Sequence, residues 1–254
     1  MAAHLNETAL RRALRSAGLP NGSVRYEEVT SSTNATALEM ARAGAPEWTV
    51  VAAGHQYAGK GRLGRTWDSV PGDSLLFSVV LRPRLPPDRA VLLTLLAGVS
   101  LALACRVAGV DDVWCKWPND LLRGDAKVGG ILAEAAVADG RIDHVVVGVG
   151  VNLEGPPAAV PAAGGLGGVV AEPLLAGFLG GLATPAEPAR FAERTLGLYR
   201  PVCATIGRRV RATTTDGHTV EGSAVDVGED GSLIVETPTG DRVAVGFGEV
   251  HHLR

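Results

Sequence analysis

The chain has 254 residues, 46% hydrophobic and 20% charged, with a formal net charge of −3. That composition excludes a disordered chain and allows one large domain plus a small one. The slight acidity excludes a global basic field for nucleic acid, so any anion must be held locally.

Asn6 caps a short helix over 6–17, with Leu10 and Leu14 on one face and Gly18 and Pro20 ending it. No apolar run of signal-peptide length precedes it. One helix is too little for a helix-turn-helix module before the first motif, so no nucleic-acid partner is expected. Residues 26–29 read as a short strand. Ser31-Ser32-Thr33-Asn34 offers hydroxyl and amide caps for a helix running through Leu38 and Met40 to Gly44. A buried strand over 49–53 feeds a basic loop. After the Pro71-Gly72-Asp73 turn, 74–81 is rich in β-formers. The uncharged run 90–105 is sixteen residues long. That is short of the ~20 needed to cross a bilayer, so it reads as a buried helix between Pro87 and Gly109, with no membrane partner.

Residues 113–117 form a short strand entering a Pro118-Asn119-Asp120 turn, and 129–137 and 144–149 form two more strands joined at Asp139-Gly140. The stretch 155–168 is dominated by Gly, Pro and Ala and reads as a mobile surface loop. Helical pattern returns at 173–182 and 186–199. Beyond residue 204 come four β-prone segments, 210–213, 220–227, 233–236 and 243–247. Turn signals separate them at Asp216-Gly217, Asp230-Gly231 and Thr239-Gly240, the pattern of a small antiparallel barrel. The expected division is a large domain over 1–204 and a small one over 205–254. Cys105, Cys115 and Cys203 are odd in number and lack C-x-x-C spacing, which points to reduced thiols and a cytoplasmic protein.

The most informative segment is Gly59-Lys60-Gly61-Arg62-Leu63-Gly64-Arg65-Thr66-Trp67. It holds three glycines and three cations in nine residues, without a carboxylate. Glycines let backbone N–H groups turn toward an anion, arginine adds forked donors and lysine a point charge. The segment reads as a phosphate or carboxylate clamp. Gly54 to Gly61 nearly matches the phosphate loop of nucleotide hydrolases, but Gly61 stands where that motif needs Ser or Thr, and no helix starts there. Three more islands follow: Lys116-Trp117-Pro118-Asn119-Asp120, Lys127-Val128-Gly129-Gly130-Ile131-Leu132, and Gly148-Val149-Gly150-Val151-Asn152. Each alone is explained by a turn, a solvated strand end or a strand terminus. In the second, the paired glycines imply close approach of a backbone or ligand and a buried role for Lys127. Cys115 reads as a packed strand residue.

Together, in this order, the islands resemble biotin protein ligases: Ser32-Thr33-Asn34, then Gln56, the loop from Gly59 to Trp67, Lys116 to Asp120, Lys127 to Leu132 and Gly148 to Asn152. The resemblance spans about 31–152, and the small C-terminal barrel fits it. It implies an α/β (α+β) fold: a mixed β-sheet with helices, like class II aminoacyl-tRNA synthetases, plus an SH3-like C-terminal barrel. It also implies a two-step ligation through biotinyl-5′-AMP, using biotin, ATP and Mg2+. The acceptor would be a lysine on the biotin carboxyl carrier domain of a carboxylase, and the enzyme a monomer or weak homodimer.

By the resemblance, Lys127 and Arg62 are catalytic. Ser32, Thr33, Asn34, Gln56, Lys60, Gly61, Arg62, Lys127 and Gly130 serve biotin. Arg65, Trp67, Lys116, Asn119, Asp120, Lys127 and Asn152 serve the nucleotide, with Trp67 against adenine and Asp120 assisting Mg2+ or the incoming amine. A loop over 57–65 that orders over the intermediate would exclude water. Lys60 replaces the usual Arg of the family, and Tyr57 stands where Gln or Thr is common. Lipoate ligases are the nearest competitor, and the basic loop argues against them. Relatives that double as repressors carry an N-terminal DNA-binding module.

Overall fold

The computed structural model describes residues 5–155, 160, 163–183, 188–214, 217–246 and 248–253. A seven-stranded sheet is built from β1 (Val24–Thr30), β2 (Val50–Gln56), β3 (Ser74–Leu81), β4 (Val113–Lys116), β5 (Asp120–Arg123), β6 (Ala126–Ala138) and β7 (Arg141–Asn152). Its order is β1-β2-β3-β7-β6-β5-β4. β1 and β2 run parallel and the other ladders are antiparallel.

The two faces of this sheet carry different cargo because strand side chains alternate. Val50, Val79 and Val147 point into the main core, which also holds α1 (Glu7–Ser16), α3 (Ala90–Val107), α4 (Ala171–Ala183) and α5 (Phe191–Tyr199). Within that core Phe77 meets Phe178 edge to face, with ring centroids 5.1 Å apart. Their neighbours Val51, Val80 and Val146 point the other way, into a small cluster with Ala37 and Ala41 of α2 (Thr33–Arg42). α2 packs on β2, β3 and β7. The functional cavity lies beside it, against β6 and β7.

A five-stranded antiparallel sheet follows, from β8 (Arg209–Thr214), β9 (Thr219–Val227), β10 (Leu233–Glu236), β11 (Arg242–Val245) and β12 (Gly248–His252). Its order is β11-β10-β9-β8-β12. Val210, Ala212, Val227 and Leu233 belong to the same core cluster as the large sheet.

Several elements differ from the sequence expectations. β5 and β12 were not expected. β5 is a four-residue hairpin return from β4, too short for a pattern of its own. β12 contains Gly248, Glu249 and two histidines, and only its pairing with β8 makes it a strand. The paired glycines do not begin β6, which starts three residues earlier at Ala126. The apolar helix, with its short 3-10 start at Pro87, is long and apolar enough by length and composition to cross a bilayer, yet twelve of its residues, from Leu92 to Cys105, are buried in the core. α5 begins at Phe191 after a turn over Pro188–Arg190, and residue 186 lies outside the described residues, as do Asp216 and Phe247. In the expected mobile stretch, 156–159 and 161–162 lie outside the described residues. The remainder is tied down, with the Gly164 N–H on the Lys127 carbonyl at 2.8 Å and the Leu166 N–H on the Asn152 carbonyl at 3.0 Å. All three cysteines are free and buried, and burial pushes the Cys105 thiol up to about 12.

The two sheets meet at a polar joint. The Trp117 N–H donates to Thr205 Oγ1 at 3.0 Å, and Thr205 Oγ1 lies 3.1 Å from His252 Nε2. The Trp117 indole donates to the Gly231 carbonyl at 2.9 Å. Burial first, then the charges of Lys116 and Arg208, lower the pKa of His252 against a weaker pull from Asp125. The folded protein therefore favours neutral His252, and its contribution to stability is complete above the unfolded value of about 6.5. It is lost as pH falls from there through the lowered folded value. The melting temperature of wild type should drop over that range, and His252→Gln should flatten the drop. A variant with the same pH slope as wild type would refute the assignment.

Candidate functional site

Four segments converge on one cavity of about 220 Å3 on the α2 side of the large sheet. They are the N-terminus of α2, the basic loop after β2, the β4–β5 turn with the start of β6, and β12 of the small sheet. Its floor is a patch of sheet with almost no side chains. Gly130 pairs with Gly150 across β6 and β7, and Leu132 pairs with Gly148 beside them. A Cβ built on Gly150 would lie 2.5 Å from Trp67 Cε2, and one on Gly148 would lie 2.0 Å from Asn34 Oδ1. Gly148 and Gly150 admit two side chains of the site itself, an amide and an indole. At the paired glycines, a Cβ on Gly129 would lie 3.2 Å from the Gly150 carbonyl oxygen, the close backbone the sequence suggested, and one on Gly130 would lie 3.0 Å from the Trp67 ring. The ring of Trp67 also receives Lys127 Nζ at 5.5 Å from its centroid.

At one end, α2 presents its first turn. Ser32 occupies the N-cap position but makes no capping hydrogen bond. The capping explanation of Ser31 to Asn34 is therefore incomplete, because the side chains face inward across the sheet. The Thr33 N–H and Thr33 Oγ1 reach Gln56 Oε1 at 2.7 and 3.0 Å. Asn34 Nδ2 donates to Glu134 Oε2 at 2.8 Å and the Leu132 carbonyl at 3.3 Å.

At the other end the charges gather. The β4–β5 turn places Asn119 and Asp120 between the basic loop and Lys127. Arg62 donates to Asn119 Oδ1 at 3.1 Å and to the Gly248 carbonyl at 3.4 Å. Lys127 Nζ and Asp120 Oδ1 are 2.6 Å apart. Arg65 forms an ion pair with Glu249 on β12, which raises the pKa of Arg65 and lowers that of Glu249. Burial lowers the pKa of Arg62, and Arg65 adds to the effect against the attraction of Asp120 and Glu249. A half-buried guanidinium without a carboxylate of its own is a good receptor for an incoming anion. The loop closes on itself through a bridge between Lys60 and Thr66, and Leu63 at its tip takes φ 55°.

Of the residues singled out from the sequence, Ser32, Thr33, Asn34, Gln56, Lys60, Gly61, Arg62, Arg65, Trp67, Lys116, Asn119, Asp120, Lys127 and Gly130 all line this cavity. Asn152 does not. It is 2% exposed and donates to the Gly164 carbonyl at 2.9 Å, while its Oδ1 has no partner. The side chain of Lys127 is 41% exposed, not buried as the glycines suggested. Tyr57 stands out at 70% exposed. Residues 248–250 also line the cavity, and nothing in their composition marks them. Among the described residues no group of three or more His, Cys, Asp or Glu would hold a metal ion. The two acidic side chains of the cavity, Asp120 and Glu249, each face a cation.

A family model described as "Biotin/lipoate A/B protein ligase family" matches residues 26–152, and one described as "Biotin protein ligase C terminal domain" matches 205–253. The chain is 36% identical to a biotin--[acetyl-CoA-carboxylase] ligase of Mycobacterium tuberculosis, over 98% of this chain and 96% of that protein. It is 33% identical to the bifunctional ligase/repressor BirA of Bacillus subtilis, over 93% of this chain and 76% of that protein. Among solved structures, a biotin protein ligase from Aquifex aeolicus in complex with biotin and ATP superposes with a TM-score of 0.74 at 22% identity, covering 91% of this chain and 99% of that one.

The close approach of Trp67 to the sheet gives a direct check of the cavity's construction. Gly150→Ala should force the indole out of its seat. The expected results are a change in tryptophan fluorescence and a loss of about 1–3 kcal/mol in stability. Unchanged fluorescence and stability would show that Trp67 does not rest there.

Proposed function

The chain belongs to the biotin/lipoate A/B protein ligase family and is a biotin protein ligase, and we propose that it works in two steps within the one cavity. In the first, a carboxylate oxygen of biotin attacks the α-phosphorus of ATP, forming biotinyl-5′-AMP and releasing pyrophosphate. In the second, the ε-amine of a lysine on a biotin carboxyl carrier domain attacks the acyl carbon, and AMP leaves. The observation that carries this reading is the meeting of Arg62 and Lys127 around the Asn119–Asp120 turn.

The chemical problem is the repulsion between a carboxylate and a triphosphate. Fixed cations at their meeting point offset that repulsion and stabilise the charge that builds in the transition state. Lys127, seated on the Trp67 face, would bridge the biotin carboxylate and the α-phosphate. Arg62 shares that task from the loop. Ser32, Thr33 and Gln56 would hold the ureido ring, with Asn34, Lys60, Gly61 and Gly130 shaping the same end. Arg65, Trp67, Lys116 and Asn119 would serve the nucleotide. Asn152 enters only indirectly, through the Gly164 segment beside Lys127.

Mg2+ bound with the nucleotide would neutralise part of the triphosphate charge. One carboxylate suffices for an ion that keeps its waters and phosphate oxygens, and Asp120, now paired with Lys127, would be that carboxylate. The three buried free thiols favour a reducing compartment, the cytoplasm. The two sheets support a ligase domain over 1–204 and a small domain over 205–254, the latter contributing Gly248 and Glu249 to the site.

Removing the bridging charge isolates the first step. Lys127→Met should lower biotin-dependent ATP–pyrophosphate exchange by about 100-fold or more, with circular dichroism unchanged. Exchange at the wild-type rate in that variant would overturn the mechanism.

A further inference from the structure

One buried hydroxyl in the middle of the large sheet is unexplained by packing. Ser78 on β3 is fully buried between Phe77 and Val79, and it lies on the α2 face in register with Gly148. Its Oγ sits 2.6 Å from Asn34 Oδ1 and 2.8 Å from Thr33 Oγ1. It therefore joins the two side chains that open α2.

Counting protons fixes the polarity of this cluster. Gln56 Oε1 accepts from the Thr33 backbone N–H, so the Gln56 amide cannot be reversed, and its NH2 is the end left for a ligand. The Asn34 NH2 is spent on Glu134 and Leu132, so Asn34 Oδ1 needs a donor, which Ser78 supplies. Thr33 has one hydroxyl proton and two acceptors for it, Gln56 Oε1 at 3.0 Å and Ser78 Oγ at 2.8 Å. With either partner the proton is committed inside the protein. Toward the cavity Thr33 then offers lone pairs only, while Gln56 offers N–H only.

We propose that Ser78 is a positioning residue for biotin specificity: by bridging Thr33 and Asn34 it fixes an acceptor beside a donor, the complement of the adjacent N–H and C=O of a cyclic urea. The inference rests on the biotin ligase reading and deepens it. It also separates biotin from lipoate, whose dithiolane ring has neither group. Gly148 is part of the device, since any side chain there would displace Asn34 from Ser78.

Biotin binding by titration calorimetry, with the KM of ATP measured beside it, tests this on the full chain. Ser78→Ala should weaken biotin about tenfold or more and leave the KM of ATP within about twofold. Desthiobiotin, which keeps the urea and lacks sulfur, should lose the same factor. Ser78→Cys keeps a weak donor and the volume, so its loss should be smaller, and it replaces the alanine variant if that one does not fold. Two results would overturn the proposal: a lowered melting temperature with biotin affinity unchanged, or equal loss of biotin and ATP. Failure of the wild-type protein to bind biotin at all would instead sink the functional reading beneath it.

Discussion

Gly130, Gly148 and Gly150 leave one face of the sheet bare, and the site is built into that gap. Without the bare patch Trp67 would have no seat on β6 and β7, and Asn34 would lose its place against β7. Trp67 in turn carries Lys127 on its ring, and Asn34 is tied through Ser78 to Thr33. The charged end and the polar end of the cavity therefore rest on the same missing side chains. A packed interior has little slack, so even a single methyl group at these positions is felt.

The electrostatics follow from the same layout. Arg62 and Arg65 stand close enough to repel each other, and Asp120 and Glu249, which pair with Lys127 and Arg65, offset that repulsion at Arg62. The Arg65–Glu249 pair is largely exposed on the arginine side, at 63%, so solvent screens it and it is worth little. Arg62 is more deeply set and relies on an amide oxygen and a carbonyl, both neutral acceptors. Among the described residues it pairs with no carboxylate of its own, unlike Lys127 and Arg65.

The cavity's residues were legible in the sequence because they come as short clusters with unusual composition. Three glycines among three cations have few uses in an ordinary surface loop, whereas Pro-Asn-Asp closing a strand reads alone as a turn and gained meaning only from its place in the order of motifs. The strands of the large sheet other than β5 were legible by their apolar or β-prone runs, and α3 by its uninterrupted apolar stretch. β12 was not legible, since Gly-Glu-Val-His-His has no strand pattern and takes its conformation from β8. Asn152 belongs to its motif by order along the chain, yet it does not line the cavity, and its amide donates to the Gly164 carbonyl. Ser78 was invisible for the opposite reason: a serine in a β-prone run reads as a neutral residue until its hydroxyl is seen to meet two others.

β12 also shows why the small sheet belongs to the site. Its Gly248 carbonyl and Glu249 carboxylate hold the two arginines of a loop that also closes through the Lys60–Thr66 bridge, the Arg65 N–H on the Arg62 carbonyl and the Arg62–Asn119 hydrogen bond, with an αL turn at Leu63. A non-glycine residue at positive φ costs about 1 kcal/mol or more and persists only where its surroundings enforce it. Part of the hold on the flanking arginines comes from the far end of the chain, through a strand whose own register is fixed by β8, and part from Asn119 on the large sheet. The β8 strand is anchored in the common core by Val210 and Ala212. The loop's shape is thus set in part by contacts nearly two hundred residues away in sequence, about 186 for Arg62 and Gly248. A loop held from both sheets can present its cations in one arrangement, which an isolated glycine-rich segment would not do.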